Sequence, residues 1–76
     1  MKPIKWRARD GIRSATVEGV ELRRHNLALS VLLHAEFPSD AERKHVELGL
    51  PHLNRQQIDA AAYALADLVQ TLRGLE

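Results

Sequence analysis

The sequence predicts an α+β fold that is mainly helical, with an N-terminal β-hairpin followed by a long helix, a short helix and a long C-terminal helix (ββααα). Three observations lead to this prediction. Asp10-Gly11 is a two-residue turn signal between two segments of alternating polarity. Residues 20–36 and residues 54–75 each carry apolar side chains at helical spacing. The length of 76 residues corresponds to a single domain, 1–76.

The composition is that of a small folded chain. Hydrophobic residues make up 45% and charged residues 28%, which is too apolar for a disordered segment. The absence of cysteine excludes disulfides and thiolate-zinc sites. No apolar run reaches the roughly 18 residues of a membrane span, and the first residues contain no signal-peptide core. We therefore expect a cytoplasmic protein without a membrane partner.

Residues 1–18 are predicted to form the hairpin, because a type I′ turn at Asp10-Gly11 brings the flanking segments together in one register. The expected pairs are Arg9 with Ile12, Ala8 with Arg13, Trp6 with Ala15 and Ile4 with Val17. Strand alternation then collects the apolar side chains on one face and the basic ones on the other, with Arg13 and Ile12 as the two exceptions. The alternative starts a helix at Ser14, but the residues up to 20 are poor helix formers.

The first helix is predicted over residues 20–36 and ends before Phe37-Pro38, because a residue before proline avoids helical angles. Its apolar arc covers about two thirds of the circumference, which is too wide for one packing seam. We therefore expect a second copy to cover part of it. The predicted oligomer interface comprises Leu22, Asn26, Leu29 and Leu33. Asn26 either pairs with its symmetry mate or lies at the solvated end of the helix.

A short peripheral helix is predicted over residues 39–48. Ser39 and Glu42 have the spacing of a capping box, and Gly49 and Pro51 end the segment.

The last helix is predicted over residues 54–75. Asn54 and Gln57 form a second capping box, and Leu53 with Ile58 forms a hydrophobic staple. The predicted buried stripe contains Ile58, Ala61, Ala62, Leu65, Leu68, Val69 and Leu72. Asp59, Tyr63 and Asp67 fall on the opposite, exposed face.

The charge is divided unevenly along the chain. Residues 1–25 carry seven basic and three acidic side chains, a net +4, whereas residues 26–76 carry four basic and seven acidic, a net −3. This asymmetry indicates an anionic partner for the N-terminal third, or two solvated surfaces. The candidate residues for binding a partner or nucleic acid are Lys5, Arg7, Arg9, Arg13, Arg23 and Arg24.

Catalytic and metal-binding motifs are lacking. His25 and His34 are nine residues apart, which would point them to opposite faces of one helix, and a break at 49–51 separates His45 from His52. No serine lies in a nucleophile motif and no glycine-rich phosphate loop is present. The sequence therefore predicts no enzyme, no metal and no cofactor.

Two functional classes remain. The first is a small protein-interaction module, a homodimeric regulator, inhibitor or adaptor of bacterial or phage type that binds an unknown protein target. The alternative is a nucleic-acid-binding protein that uses the basic face of the hairpin, since a two-stranded ribbon fits the major groove.

Overall fold

The computed structural model describes residues 2–28, 30–36, 45–51 and 54–74. In these ranges five strands form one antiparallel sheet, each strand hydrogen-bonded to the next in chain order, and one helix follows them. The elements are β1 Arg7–Arg9, β2 Ile12–Val17, β3 Val20–Asn26, β4 Ser30–Glu36, β5 His45–Pro51 and α1 Arg55–Gly74.

The first hairpin has the predicted turn and register. Both central turn residues have positive φ, 53° at Asp10 and 77° at Gly11, as a type I′ turn requires. Arg9 pairs with Ile12 and Ala8 pairs with Arg13, which confirms the register expected for these pairs.

The predicted first helix over 20–36 is wrong, because this segment forms β3 and β4. A second turn, Glu18-Gly19, has φ values of 51° and 78° and pairs Val17 with Val20. The chain therefore reverses where the helix was expected to start. A strand is the better solution here because the buried side chains of β3 recur at every second residue, at Val20 and Leu22.

The next reversal joins β3 to β4. Asn26 pairs with Val31, and the backbone N–H of Leu27 donates a 2.8 Å hydrogen bond to the carbonyl of Ser30. In β4 the side chains of Val31, Leu33 and Ala35 are buried on one face. The apolar side chains that suggested a wide helical arc are those of a strand. The core of a single chain buries Val31, Leu33 and Ala35, so these residues need no second copy to cover them.

The short helix predicted over 39–48 is wrong for residues 45–48, which lie in β5 and pair with β4. Ser39 and Glu42, its expected capping box, lie outside the described residues, as do Phe37-Pro38. The fold is therefore dominated by a sheet with a single described helix, and neither the mainly helical class nor the description as a small helical protein holds.

The helix α1 lies where the last predicted helix was expected. The capping box is confirmed: the Gln57 N–H donates to Asn54 Oδ1 at 2.9 Å and the Asn54 N–H donates to Gln57 Oε1 at 3.1 Å. Leu53, half of the expected staple, lies outside the described residues. The buried residues of the helix are Ile58, Asp59, Ala62, Leu65, Ala66 and Val69.

The buried face of α1 is rotated relative to the predicted stripe. Leu68 was expected inside but is 46% exposed, whereas Asp59 was expected outside and is buried, as is Ala66, which is not part of the predicted stripe. The helix has turned toward Asp59 because that carboxylate accepts hydrogen bonds from the N-terminal segment.

The core lies between α1 and one face of the sheet, which we call the helix side. Its buried apolar members are Ile4, Val17, Val20, Leu22, Val31, Leu33, Ala35, Ile58, Ala62, Leu65, Ala66 and Val69. The opposite face of the sheet, which we call the outer face, is covered by no described element. Antiparallel sheets commonly pack one face on the core and expose the other to solvent, and the outer-face residues Arg7, Arg9, Glu21 and Arg23 are exposed here.

Candidate functional site: two basic surfaces on one sheet

The outer face carries polar side chains in rows across the strands. One row is formed by the paired residues Arg7, Ser14, Arg23, His34 and Glu47, one from each strand from β1 to β5. Arg9 lies beside Ile12 in the neighbouring row. Lys5 precedes β1 and is exposed, and alternation from Arg7 places it on the same face.

The β1 side of this face is strongly basic. Lys5, Arg7, Arg9 and Arg23 are all exposed. Within the described ranges, none of these four side chains is in an ion pair. We call these four residues the outer basic patch.

The opposite side of the outer face has a different character. On β4 and β5, His34 Nδ1 lies 3.5 Å from Glu47 Oε1. Glu21, which is exposed on β3 and paired with Thr16, borders the outer basic patch itself. The charge on the outer face therefore changes from basic at β1 to mixed at β5.

The dimensions of the outer basic patch follow from strand geometry. Alternate residues on a strand are about 6.8 Å apart, so Lys5 and Arg9 are separated by about 14 Å along the strand. Neighbouring strands are about 4.8 Å apart, so Arg23 on β3 lies about 10 Å from Arg7. Ser14, between these two arginines, adds a hydroxyl that can donate or accept a hydrogen bond.

A second basic surface lies on the helix side. Arg13 on β2 is directly paired with Arg24 on β3, although like charges in this arrangement repel each other. Arg55, the first residue of α1, lines the same cleft. We call Arg13, Arg24 and Arg55 the arginine cleft; its remaining lining residues are Trp6, Ala8 and Ile58.

Arg24 is held in place by two contacts. Its guanidinium carbon lies 5.7 Å from the centroid of the Trp6 ring, a cation–π distance. Its Nε donates a 3.0 Å hydrogen bond to Asn26 Oδ1. The pKa of Arg24 is lowered from its ordinary value, first by burial and then by the positive charge of Arg13, with a smaller contribution from Arg55 and an opposing one from Asp59.

Asp59 is the buried acid next to this cleft, with 6% of its surface exposed. Its Oδ1 accepts a 2.8 Å hydrogen bond from the Trp6 indole, and its Oδ2 accepts a 3.1 Å bond from the Ile4 N–H. Sequence reasoning missed this role. The signal was Trp6 itself, because a tryptophan that is partly buried needs an acceptor for its indole N–H.

The structure divides the six predicted binding residues between the two faces. Lys5, Arg7, Arg9 and Arg23 lie together on the outer face, whereas Arg13 and Arg24 lie on the helix side with Arg55, which the sequence did not single out. Neighbours in sequence, such as Arg23 and Arg24, thus belong to different surfaces because strand side chains alternate.

Of the four residues proposed as an oligomer interface, the three that the structure describes do not form one surface. Leu22 and Leu33 are fully buried in the core of a single chain. Asn26 is exposed and orients Arg24, and Leu29 lies outside the described residues. The argument for an interface came from a helix that the structure replaces with strands.

The histidines are also arranged differently from the prediction. His25 and His34 lie on the same outer face, on neighbouring strands, and His52 lies outside the described residues. Among the residues that the structure describes, no three His, Asp or Glu side chains are grouped so that they could hold a metal ion. The described helix is not apolar enough to cross a membrane.

Comparison with known proteins gives no match: no family model, no curated protein and no solved structure is similar to this chain. The function therefore has to be inferred from the two basic surfaces and their chemistry.

Proposed function

We propose that this chain is a non-enzymatic nucleic-acid-binding module that contacts the phosphate backbone with its outer face. The observation that supports this proposal is the outer basic patch: Lys5, Arg7, Arg9 and Arg23 are exposed on one sheet face and have no ion-pair partner among the described residues. Exposed cations grouped on one face attract a polyanion, since each phosphate contact releases a condensed counterion.

The shape of the patch is compatible with a duplex. The major groove of B-DNA is about 12 Å wide and admits a two-stranded ribbon, such as the β1–β2 hairpin at the edge of the sheet. Because the turn at Asp10-Gly11 has only two central residues, no large loop widens the tip of this hairpin. Ser14 and Thr16 lie between the cations of β1 and the side chains of β3, where they can donate hydrogen bonds to phosphates.

A nucleic-acid partner also indicates where the protein acts. We propose a cytoplasmic location, in contact with the nucleic acid of the cell. The lack of cysteine is compatible with a reducing compartment.

The second candidate function is binding of a protein with an acidic surface. The observation that favours it is the presence of Ile12 and Leu32 on the outer face, both half-buried and apolar. Apolar side chains inside a polar rim are typical of protein interfaces and add little to phosphate binding. The same cations would then steer the acidic partner.

Fluorescence anisotropy with random-sequence duplex and single-stranded probes separates these functions. The test variant is Arg7→Ser/Arg9→Ser, which removes two cations of the outer face. Its charge-matched control is Gln56→Glu/Leu68→Glu, which lowers the net charge by the same two units at exposed positions of α1, on the helix side of the sheet. Affinity should be measured from about 50 to 200 mM salt, where phosphate contacts have their largest effect.

We expect the parent to bind with a strong salt dependence. The Arg7/Arg9 variant should flatten the slope of log K against log salt by about 1.8, or about 0.9 for each phosphate that is no longer neutralised. The control should keep the parental slope. Negligible binding by the parent at low salt would contradict the proposal and favour the protein partner. An equal decrease in affinity in both variants would show that only net charge matters, which also contradicts it.

A further inference from the structure

We propose that the arginine cleft, formed by Arg13, Arg24 and Arg55, is a binding site for a phosphate monoester dianion. The cleft lies on the helix side of the sheet and the outer basic patch on the other. The site is therefore separate from the surface proposed above to contact the nucleic-acid backbone, and does not depend on it.

The charges in the cleft leave a net excess that a dianion would neutralise. Three guanidinium groups face one carboxylate, that of Asp59, so two positive charges remain. Asp59 is also already engaged, since its two oxygens accept hydrogen bonds from Trp6 and Ile4. A phosphate monoester carries a charge of about −1.5 to −2 at pH 7, which matches this excess.

The guanidinium groups are held close together before any ligand binds. Strand pairing fixes Arg13 opposite Arg24, and the Trp6 ring and Asn26 orient Arg24. Repulsion between paired like charges is unfavourable unless an anion is shared between them. Burial and the neighbouring arginines lower the pKa of Arg24, which is the electrostatic sign of this crowding. A bound dianion would relieve it.

Arginine suits a phosphate ligand better than a simple halide. The planar guanidinium presents paired N–H donors that match two phosphate oxygens, and such bidentate pairs are stronger than neutral hydrogen bonds. Because Nε of Arg24 is bonded to Asn26, its two terminal nitrogens remain for the ligand. Arg55 is the first residue of α1, so the positive end of the helix dipole lies at the backbone of a residue that lines the cleft.

The cleft has room for more than inorganic phosphate. Its volume is about 410 Å³, within the range of about 300–1,000 Å³ that is typical of small-molecule sites. Two sources can supply the phosphate monoester: a free phosphorylated metabolite, or the 5′-terminal phosphate of a nucleic acid. Both present the same dianion, and the experiment has an arm for each.

Trp6 makes the test direct. It is the only tryptophan of the chain and it lines the cleft, so its fluorescence reports on the site alone. The protein is titrated with inorganic phosphate at constant ionic strength, with potassium chloride as the reference salt. The test variant is Arg24→Gln. The matched control is Arg73→Gln, which removes a cation at the end of α1 opposite to Arg55 and outside both basic surfaces.

We expect a saturable fluorescence change with phosphate and none with chloride. Arg24→Gln should weaken the phosphate affinity by about tenfold or more, since it removes a charge-assisted bidentate donor, while Arg73→Gln keeps the parental affinity. The melting temperature should rise with phosphate concentration in the parent and in Arg73→Gln, because a ligand that binds only the folded state stabilises it. Circular dichroism checks that each variant is folded.

The second arm compares a thymidine dinucleotide with a 5′-phosphate and one with a 5′-hydroxyl. Tighter binding of the phosphorylated form that is abolished in Arg24→Gln supports a nucleic-acid end as the source. Saturable binding of phosphate with no preference between the dinucleotides supports a free metabolite.

The absence of both a fluorescence change and a rise in melting temperature with phosphate would overturn the proposal, as would an unchanged response in Arg24→Gln. Failure of the outer basic patch to bind nucleic acid would leave these results unaffected, because the patch and the arginine cleft lie on opposite faces of the sheet.

Discussion

The indole N–H of Trp6 donates a 2.8 Å hydrogen bond to Oδ1 of Asp59, a residue 53 positions later in the chain. The second oxygen of the same carboxylate accepts a 3.1 Å bond from the backbone of Ile4. One buried acid therefore fastens the segment before β1 to α1. It also positions the ring over which Arg24 lies, so the stability of the fold and the geometry of the arginine cleft depend on the same group.

Replacing this acid should destabilise the protein. In Asp59→Ala both donors are left without their acceptor, which should lower the free energy of unfolding by about 1–3 kcal/mol. Urea melts followed by circular dichroism measure the change. Asp67→Ala is the control, because Asp67 is an exposed acid on the same helix and should cost little. Equal stability of Asp59→Ala and the parent would show that the carboxylate does not hold the N-terminal segment.

A pair of leucines on α1 tests the orientation of the helix. Leu65 is 3% exposed, whereas Leu68 is 46% exposed, although the sequence placed both on one stripe. Leu65→Ala should lower the free energy of unfolding by about 2–5 kcal/mol through the cavity that it leaves. Leu68→Ala should change it by about 0.5 kcal/mol or less, as is usual for exposed sites. Similar destabilisation in the two variants would mean that the helix is rotated differently.

The turn at Glu18-Gly19 offers a stabilising substitution. Glu18 has a φ of 51°, which is unfavourable for a residue other than glycine, asparagine or aspartate. Glu18→Asn should therefore raise the midpoint of urea unfolding. The Gln70 side chain donates its hydrogen bond to the backbone carbonyl of Glu18, which these side-chain substitutions do not remove. Glu18→Gln is the control that removes the charge and keeps the unfavourable backbone angle.

The same residue should make stability depend on pH. A hydrogen bond with Asp67, together with desolvation and the charge of Asp67, raises the pKa of Glu18 above its ordinary value. Because the folded state then binds the proton more tightly than the unfolded state, stability should increase as the pH falls through this raised pKa. The increase should be absent in Glu18→Gln. Urea melts at a series of pH values measure the free energy of unfolding. If it depends on pH in the same way in the parent and in Glu18→Gln, the ionisation of Glu18 does not cause the change.

The hairpin at Asp10-Gly11 could be predicted because its signal is local: two residues that accept positive φ, between segments that sort into faces in only one register. The start of α1, marked by the capping box of Asn54 and Gln57, was predictable for the same reason. Both signals are complete within a few residues and do not depend on the rest of the fold.

The centre of the chain could not be assigned in this way. In β4 the run from Val31 to Ala35 is apolar at nearly every position, so it fits a strand and a helix equally well. The reversal at Leu27 and Ala28 contains good helix formers and no glycine or proline. Pairing with β3 and β5 decides for the strand, and these are tertiary interactions. The wrong helix also affected the prediction of the binding sites. Only the alternation of side chains along a strand shows that Arg23 and Arg24 point to opposite faces of the sheet.

The outer face also predicts a substitution that should strengthen binding. Glu21 is exposed on β3 and is paired with Thr16. It is the one acidic residue within the strands β1, β2 and β3. Glu21→Lys would remove a charge that repels phosphate and add a cation to the patch. If the outer face binds nucleic acid, affinity should increase and the slope of log K against log salt should steepen by up to about 0.9, one further phosphate contact. Asp67→Lys makes the same change in net charge on the exposed surface of α1 and should leave the slope at its parental value. If the two variants bind duplex equally tightly, the protein attracts nucleic acid through net charge alone, and the outer face has no special role.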